Sequence, residues 1–421
     1  MKTPELLLPA GSLEKMRTAF AYGADAVYAG QPRYSLRARN NEFGLSELAE
    51  GIDEARVLGK KFYVTSNLMA HNAKVKTYLA DIEPVIGMRP DALIMADPGL
   101  IMLVREKWPD MEIHLSVQAN TVNHAAVDFW RKQGLTRVIL SRELSLDEIA
   151  EIRQRCPDME LEVFVHGALC IAYSGRCLLS GYFNHRDANQ GTCTNSCRWD
   201  YKVLENKEYA IEEGQRPGEL MPIEEDEHGT YILNSKDLRA VEHVGQLAKM
   251  GVDSLKIEGR TKSVYYVART AQVYRRAIDD ALAGRPFDPS CLNALEHLAH
   301  RGYTGGFYQR QAHAQYQNYA SGQSESGVSQ YVGDVAAFDA ASGMAEIVVK
   351  NRFRVGDRLE LLSPSGNLTF TLACMETLEG ENLAEAPGNG WVVRIPLPPG
   401  SNPQRAMLVR FMMDETSGES C

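Results

Sequence analysis

The strongest constraint on the fold is a regular alternation, over residues 1 to about 260, between short apolar runs and helical stretches. Each run is brief, apolar and often β-branched, as strands buried on both faces of a parallel sheet are. Strands that alternate with helices pair in parallel through right-handed crossovers. The eight runs span residues 5–8, 26–29, 62–65, 92–95, 113–117, 137–140, 161–165 and 254–257.

Eight such strands predict an α/β fold of the (β/α)8, TIM-like barrel type, with an open doubly wound sheet as the alternative. Helices are predicted at 13–22, 45–58, 146–155, 264–282 and 291–299. Ser46 is the expected N-cap of the second, and Ser145 with Glu148 forms a capping-box pattern before the third.

Three regions follow from these patterns. Residues 1–308 form the barrel, with a Cys-rich insertion after strand seven at about 166–230. Residues 309–329 are polar and rich in Gly, Ser and Gln, which predicts a linker. Residues 330–421 alternate in short strands, at 345–350, 357–362, 367–373 and 390–395, and predict a small all-β barrel.

Composition restricts the class of protein. Apolar residues make up 44% and charged residues 24%, as in ordinary globular domains. No apolar run approaches the roughly 18 residues of a membrane helix, and the N-terminus lacks a signal-peptide pattern, so we expect a cytoplasmic protein without membrane contact. The net charge of -10 shows no global basic footprint for nucleic acid, although a local basic strip occurs at Lys350, Arg352, Arg354 and Arg358.

Polar groups follow nearly every predicted strand, where barrel enzymes build their active sites. Arginines in these loops suit bidentate capture of carboxylate or phosphate, and two further residues are candidates for proton handling. The binding candidates are Arg33, Arg37, Arg39, Asn67, Gln118, Asn120, Arg142 and Arg260; the proton-handling candidates are His166 and Glu258. The alternative is that loops are polar anyway, that each arginine is a surface or ion-pair residue, and that His166 is a packed core histidine.

Four of the eight cysteines are clustered, with spacing C-x6-C-x15-C-x3-C. They are Cys170, Cys177, Cys193 and Cys197. Clustered thiols in a reducing compartment favour a thiolate metal site, and the absence of C-x2-C pairs favours a [4Fe–4S] cluster over zinc. Unrelated cysteines, or Cys170 as a peptidase nucleophile with His166, remain alternatives.

The stretches 162–170 and 175–180 resemble the signature of the collagenase-like peptidase U-type family, whose members include RNA and ubiquinone hydroxylation proteins. Segments 28–37, 115–120, 195–199 and 254–262 are similar to its tRNA-hydroxylating members. This resemblance covers essentially the whole chain.

The resemblance implies an enzyme that 5-hydroxylates the wobble uridine of tRNA, the first step towards 5-carboxymethoxyuridine. It implies prephenate, a small dicarboxylate, as co-substrate or effector, and a [4Fe–4S] cluster on Cys170, Cys177, Cys193 and Cys197. A wobble base in the anticodon loop is unpaired and can enter a barrel mouth without duplex opening. The alternatives are a collagenase-like peptidase, hydroxylation of rRNA or a quinone, and a non-catalytic tRNA-binding partner. The oligomeric state stays open.

Overall fold

A computed structural model describes residues 2–36, 43–169, 236–300, 302–309 and 329–412. It also describes the backbone of three short strands between residues 209 and 231.

Eight parallel strands form a closed barrel. The eighth strand pairs in parallel with the first and with the seventh, at Glu5↔Ser254 and Glu162↔Ser254, which closes the sheet. The predicted (β/α)8 barrel is therefore confirmed, and the open sheet is wrong. The strands are β1 (Glu5–Pro9), β2 (Ala26–Gly30), β3 (Lys61–Ser66), β4 (Ala92–Met95), β5 (Ile113–Leu115), β6 (Arg137–Ile139), β7 (Glu160–Ala168) and β12 (Ser254–Ile257).

Two strands end two or more residues away from their predicted ends. β5 stops at Leu115 because the chain turns into a 3-10 helix at Val117–Ala119, which ends at Asn120 with a left-handed φ of 51°. β7 continues to Ala168 because it gains an antiparallel partner, β11 (Asp237–Arg239), beyond its parallel neighbours. β11 in turn pairs with β13 (Tyr303–Thr304).

Nine helices are described around these strands, and five of them start after a side chain that caps the first turn. They are α1 (Leu13–Ala21), α2 (Leu45–Val57), α3 (Asn72–Gly87), α4 (Pro98–Lys107), α5 (His124–Lys132), α6 (Leu146–Arg155), α7 (Val244–Met250), α8 (Val264–Leu282) and α9 (Ser290–Glu296).

The capping box at Ser145 and Glu148 is confirmed. The predicted cap at Ser46 is wrong: α2 already begins at Leu45, and Glu47 accepts the Gly44 N–H at 3.0 Å. None of the helices in the described part of the chain combines the length and apolar character that a bilayer span requires.

Charged side chains occupy the amino-terminal half of the barrel interior. Arg137 Nη1 lies 2.6 Å from Glu5 Oε1 and 3.1 Å from Glu162 Oε2. Lys256 Nζ donates to Glu162 Oε1 at 2.8 Å and lies 4.4 Å from the Tyr28 ring centroid. Arg137, Glu162 and Lys256 are buried, so their charges compensate each other where water does not reach.

The C-terminal part is an antiparallel half-barrel with its own apolar core. Its six-stranded sheet has the order β18-β17-β21-β14-β15-β20, and a further pair joins β16 to β19. The strands are β14 (Ser329–Asp339), β15 (Met344–Val349), β16 (Phe353–Arg354), β17 (Arg358–Leu362), β18 (Leu368–Thr371), β19 (Glu385–Ala386), β20 (Val392–Pro396) and β21 (Met407–Phe411). The expected all-β character is confirmed. The linker at 309–329 lies almost entirely outside the described residues and stays a prediction.

Helix α8 joins this sheet to the barrel. Its Arg269 guanidinium forms a buried ion pair with Glu360, and its Tyr265 ring stacks on Tyr331 with centroids 5.6 Å apart. Tyr22 of the barrel adds hydrogen bonds to two carbonyl groups of the sheet domain.

The insertion after β7 contains three short antiparallel strands in the order β10-β9-β8. They are β8 (Tyr209–Glu212), β9 (Leu220–Asp226) and β10 (Gly229–Tyr231).

Candidate functional site

Arg260, the third residue after β12, forms hydrogen bonds with the loop that follows β2. Its Nη1 donates to Ser35 Oγ at 2.7 Å and to Thr65 Oγ1 at 3.2 Å, and its Nη2 donates to the Leu36 carbonyl oxygen. The arginine is buried, with 7% of its surface exposed. The structure therefore shows Arg260 holding residues 35 and 36 in place; its predicted role in anion binding stays a prediction.

Gly30 makes room for this guanidinium at the end of β2. A Cβ atom at residue 30 would lie 2.6 Å from Ser35 Oγ and 2.7 Å from Arg260 Nη1. Both distances are shorter than any ordinary van der Waals contact, so a larger residue would displace the arginine and its hydroxyl partner.

We expect Arg260→Met to lower the free energy of unfolding by about 2–3 kcal/mol, because charge-assisted hydrogen bonds to three acceptors, two of them buried, are lost together. Hydrogen exchange should also accelerate at residues 34–36. Arg33→Ala is the matched control, since Arg33 is exposed and pairs only at the surface with Asp81, at 3.0 Å. It should change stability by less than about 1 kcal/mol. Equal effects of both substitutions would contradict this role of Arg260.

Asn67 and Gln118 meet at the barrel mouth, as the strand-end argument predicted. Asn67 Nδ2 donates to Gln118 Oε1 at 3.1 Å and to Ser116 Oγ at 3.3 Å, and Asn67 Oδ1 accepts the Leu36 N–H at 3.2 Å. Ser116 also donates to Gln118 Oε1. These neutral groups connect the ends of β3 and β5 to the loop held by Arg260.

The other described binding candidates occupy different positions around the mouth. Arg142 lies over the Phe164 ring, with its Cζ 3.8 Å from the centroid. Asn120 stands at the turn after β5, in a left-handed conformation with φ of 51°. Arg33 is exposed and directed towards Asp81 on α3, on the helical layer of the barrel.

His166 is enclosed by tyrosines rather than open to a substrate. Its ring centroid lies 5.5–5.7 Å from those of Tyr266, Tyr274 and Tyr303, and the side chain is 1% exposed. Tyr274 Oη lies 3.3 Å from His166 Nδ1. Burial lowers the pKa of His166 to about 3, so the imidazole is neutral near pH 7. This packing fits the core-histidine alternative, and proton handling by His166 stays a prediction.

Glu258 stands beside His166 on the neighbouring strand end. Its N–H donates to the His166 carbonyl oxygen at 2.9 Å, and its Oε2 lies 3.3 Å from Tyr28 Oη. Gly167 permits this approach, because its φ is 105° and a Cβ there would lie 2.5 Å from the Glu258 carbonyl oxygen. The carboxylate is half-buried, which keeps it a candidate for proton transfer at the mouth.

The remaining candidates lie outside the described residues. They are Arg37, Arg39, Cys170, Cys177, Cys193 and Cys197. Two described segments lead directly into them: the loop held by Arg260 leads to Arg37, and the end of β7 leads through Leu169 to Cys170. Within the described ranges, no group of three or more His, Cys, Asp or Glu side chains is placed to hold a metal ion.

Sequence reasoning missed several side chains that complete this mouth. Ser35, Thr65 and Ser116 bind Arg260, Asn67 or Gln118, and Tyr28 contacts Glu258. Thr65 could have been found from period-two alternation, because it shares the interior face of β3 with Tyr63.

The basic strip in the C-terminal sheet is largely neutralised in the structure. Lys350, Arg352 and Arg354 lie within 4 Å of Asp334, Glu385 and Asp357, at 3.6, 2.6 and 3.6 Å. The Arg358 guanidinium lies over the Phe411 ring. These residues therefore fit a solvent-exposed strand face better than a basic surface available for binding nucleic acid.

A closed eight-stranded parallel barrel with polar side chains at its strand ends is the architecture of (β/α)8 enzymes. The chain belongs to peptidase family U32. The sequence profile of that family matches residues 11–318, and the profile of the peptidase family U32 C-terminal domain matches residues 328–410. The resemblance found in the sequence is thereby confirmed.

Two curated relatives are similar over nearly the full length, and a third over part of it. The tRNA hydroxylation protein P of Escherichia coli K12 is 60% identical, covering 99% of both chains. Its namesake in Haemophilus influenzae Rd is 57% identical, covering 98% of this chain and 97% of that one. The Escherichia coli 23S rRNA 5-hydroxycytidine C2501 synthase is 34% identical, covering 67% of this chain but 40% of its own length.

A solved structure, the U32 peptidase Mk0906, is 13% identical, covering 62% of this chain and 94% of its own, with a TM-score of 0.40.

Proposed function

We propose that this chain is a tRNA hydroxylase that 5-hydroxylates the wobble uridine in a prephenate-dependent reaction, using a [4Fe–4S] cluster. The observation that carries the proposal is the 57–60% identity, over nearly the whole of both chains, to two relatives named as tRNA hydroxylation proteins. The rRNA enzyme is less similar and shares only 40% of its length with this chain, so tRNA is the better-supported substrate.

The residues that would hold the cluster are Cys170, Cys177, Cys193 and Cys197. Four thiols are the donor set that such clusters prefer, and the first of them lies two residues beyond the end of β7 at Ala168. Replacing C5–H of uridine by C5–OH is a two-electron oxidation that also needs an oxygen donor from outside the chain, and a bound cluster would supply the electron transfer that side chains do not.

The chain's own residues would bind and orient the reactants. The uncharged amides of Asn67 and Gln118 suit a neutral base at the mouth. The arginines after β2, above all Arg37 and Arg39, suit the two carboxylates of prephenate, and Arg260 holds the segment that precedes them. Glu258, at the end of the neighbouring strand, would accept the proton that leaves C5.

Nucleoside mass spectrometry of bulk tRNA, from cells lacking this gene and from complemented cells, tests the proposal. We expect 5-hydroxyuridine-derived wobble nucleosides to disappear and to return with the wild-type gene. Omission of prephenate from a purified reaction should stop product formation.

Three results would contradict the proposal. Unchanged tRNA nucleosides together with a change in rRNA or quinones would indicate another hydroxylation target. Binding of tRNA without turnover would indicate a non-catalytic partner. Proteolysis that survives iron removal would indicate the peptidase.

A further inference from the structure

Two buried hydroxyl groups at neighbouring strand ends have no hydrogen-bond partner among the described residues. They are Thr121 Oγ1 and Ser141 Oγ, on residues that are 1% and 3% exposed. Ser141 donates its backbone N–H to the Thr121 carbonyl oxygen at 3.2 Å, so the two residues are adjacent. A buried hydroxyl without a partner is costly and rare in native proteins, and two on adjacent residues call for a ligand.

The strand register places Ser141 on the inner face of the barrel. Arg137, at the start of β6, faces inwards, because it pairs with Glu5 and Glu162 inside the barrel. Parallel pairing with β7 continues to Leu140, whose N–H donates to the Glu162 carbonyl oxygen at 3.0 Å. Side chains alternate along a strand, so Ser141, four residues beyond Arg137, shares its face and lies at the mouth.

The polar side chains that precede Thr121 on its strand-end segment are uncharged. Ser116 and Gln118 precede Thr121 on the same strand-end segment and hydrogen-bond Asn67. The guanidinium of the next residue, Arg142, packs on the Phe164 ring. A dianion would bind more strongly to free guanidinium or backbone N–H groups than to hydroxyl and amide groups.

We propose that Thr121 and Ser141 form a subsite that hydrogen-bonds the polar edge of the pyrimidine base. Each hydroxyl can donate one hydrogen bond and accept others, which matches an edge that alternates carbonyl oxygens with an N–H group. The subsite rests on the proposed tRNA hydroxylase function and identifies the part of the mouth that recognises the base.

Binding of an anticodon stem-loop RNA to the iron-loaded protein tests the subsite. Two RNAs are compared, one with uridine and one with an abasic nucleotide at the wobble position. We expect Thr121→Val and Ser141→Ala each to weaken binding of the uridine RNA roughly three- to tenfold, the usual value of one hydrogen bond, without affecting the abasic RNA. The melting temperature should not fall, because neither hydroxyl has a partner to lose among the residues that the structure describes.

Ser254→Ala is the matched control at the opposite end of the barrel. Ser254 is fully buried, but its hydroxyl donates to Glu5 Oε1 at 3.1 Å. We expect this variant to lower the melting temperature and to leave both RNA affinities unchanged.

The subsite and the proposed function fail in different ways. If wild-type protein does not prefer the uridine RNA to the abasic one, or if the double variant keeps that preference, the subsite is overturned. The binding assay needs no turnover, so a wild-type protein that prefers uridine but forms no 5-hydroxyuridine would overturn the hydroxylase function alone.

Discussion

Replacing Cys193 by alanine is expected to abolish 5-hydroxyuridine formation and to remove the iron and the visible absorption of the purified protein. The reason is that a cluster held by four thiolates does not survive the loss of one ligand in a form that supports turnover. The measurement combines iron and sulfide analysis with nucleoside mass spectrometry of tRNA from complemented cells.

Cys374→Ala is the control for this prediction, because Cys374 is a free and exposed thiol in the C-terminal sheet domain. Its iron content and activity should equal those of the wild type. Full tRNA hydroxylation by an iron-free Cys193→Ala protein would exclude a catalytic cluster at this site.

Removing the Glu162 carboxylate is expected to cause the largest loss of stability of any single substitution in the barrel interior. In Glu162→Ala, the ammonium of Lys256 and the guanidinium of Arg137 would remain buried without this partner. Removal of one partner from a buried ion pair costs about 3–5 kcal/mol, which corresponds to a fall in melting temperature of roughly 5–15 °C. Thermal and denaturant unfolding measure this difference.

The pH dependence of the variant identifies the cause. Burial lowers the pKa of Lys256 below 10.5, and the Glu162 carboxylate opposes that shift. Without Glu162, the pKa of Lys256 in the folded state falls further. The unfolded chain then binds more protons than the folded chain over a wider range of pH. Stability of Glu162→Ala should therefore rise with pH up to about 10.5, more steeply than that of the wild type.

Glu160→Ala is the matched control, because Glu160 contacts the same Arg137, at 2.7 Å, but is 41% exposed. Glu160→Ala should lower the free energy of unfolding by less than about 1 kcal/mol. The double variant Glu162→Leu with Lys256→Met should recover most of the lost stability, since no unpaired charge remains. A double variant as unstable as Glu162→Ala would contradict the assignment of the effect to charge.

The barrel itself could be predicted almost entirely from sequence. All eight strands and the α8 helix appear where short apolar runs and helical periodicity placed them. The misplaced details are ends: Ser46 is not the cap of α2, and β7 runs three residues further than expected. The end of a helix depends on single hydrogen bonds, such as that from the Gly44 N–H to the Glu47 carboxylate. The end of a strand depends on its partner strands, and β11, the partner that extends β7, lies far along the chain.

The sequence alone determined which residues stand at the strand ends, because parallel strands in a barrel all end at the same face. That rule was sufficient to bring Asn67, Gln118 and Glu258 to the same end of the barrel, without saying which of them are in contact. It also placed the first clustered cysteine next to the end of β7.

Only the tertiary structure decided what each of these side chains contacts. In the structure, His166 is packed among tyrosines, and Arg33 forms an ion pair with Asp81 on α3. Arg260 is buried and hydrogen-bonds the loop after β2. The tertiary structure also pairs Glu162 with Lys256 across 94 residues of sequence. The physical reason is that burial, charge compensation and hydrogen bonding depend on which strands are neighbours, and strand neighbours are set by closure of the whole barrel rather than by local sequence.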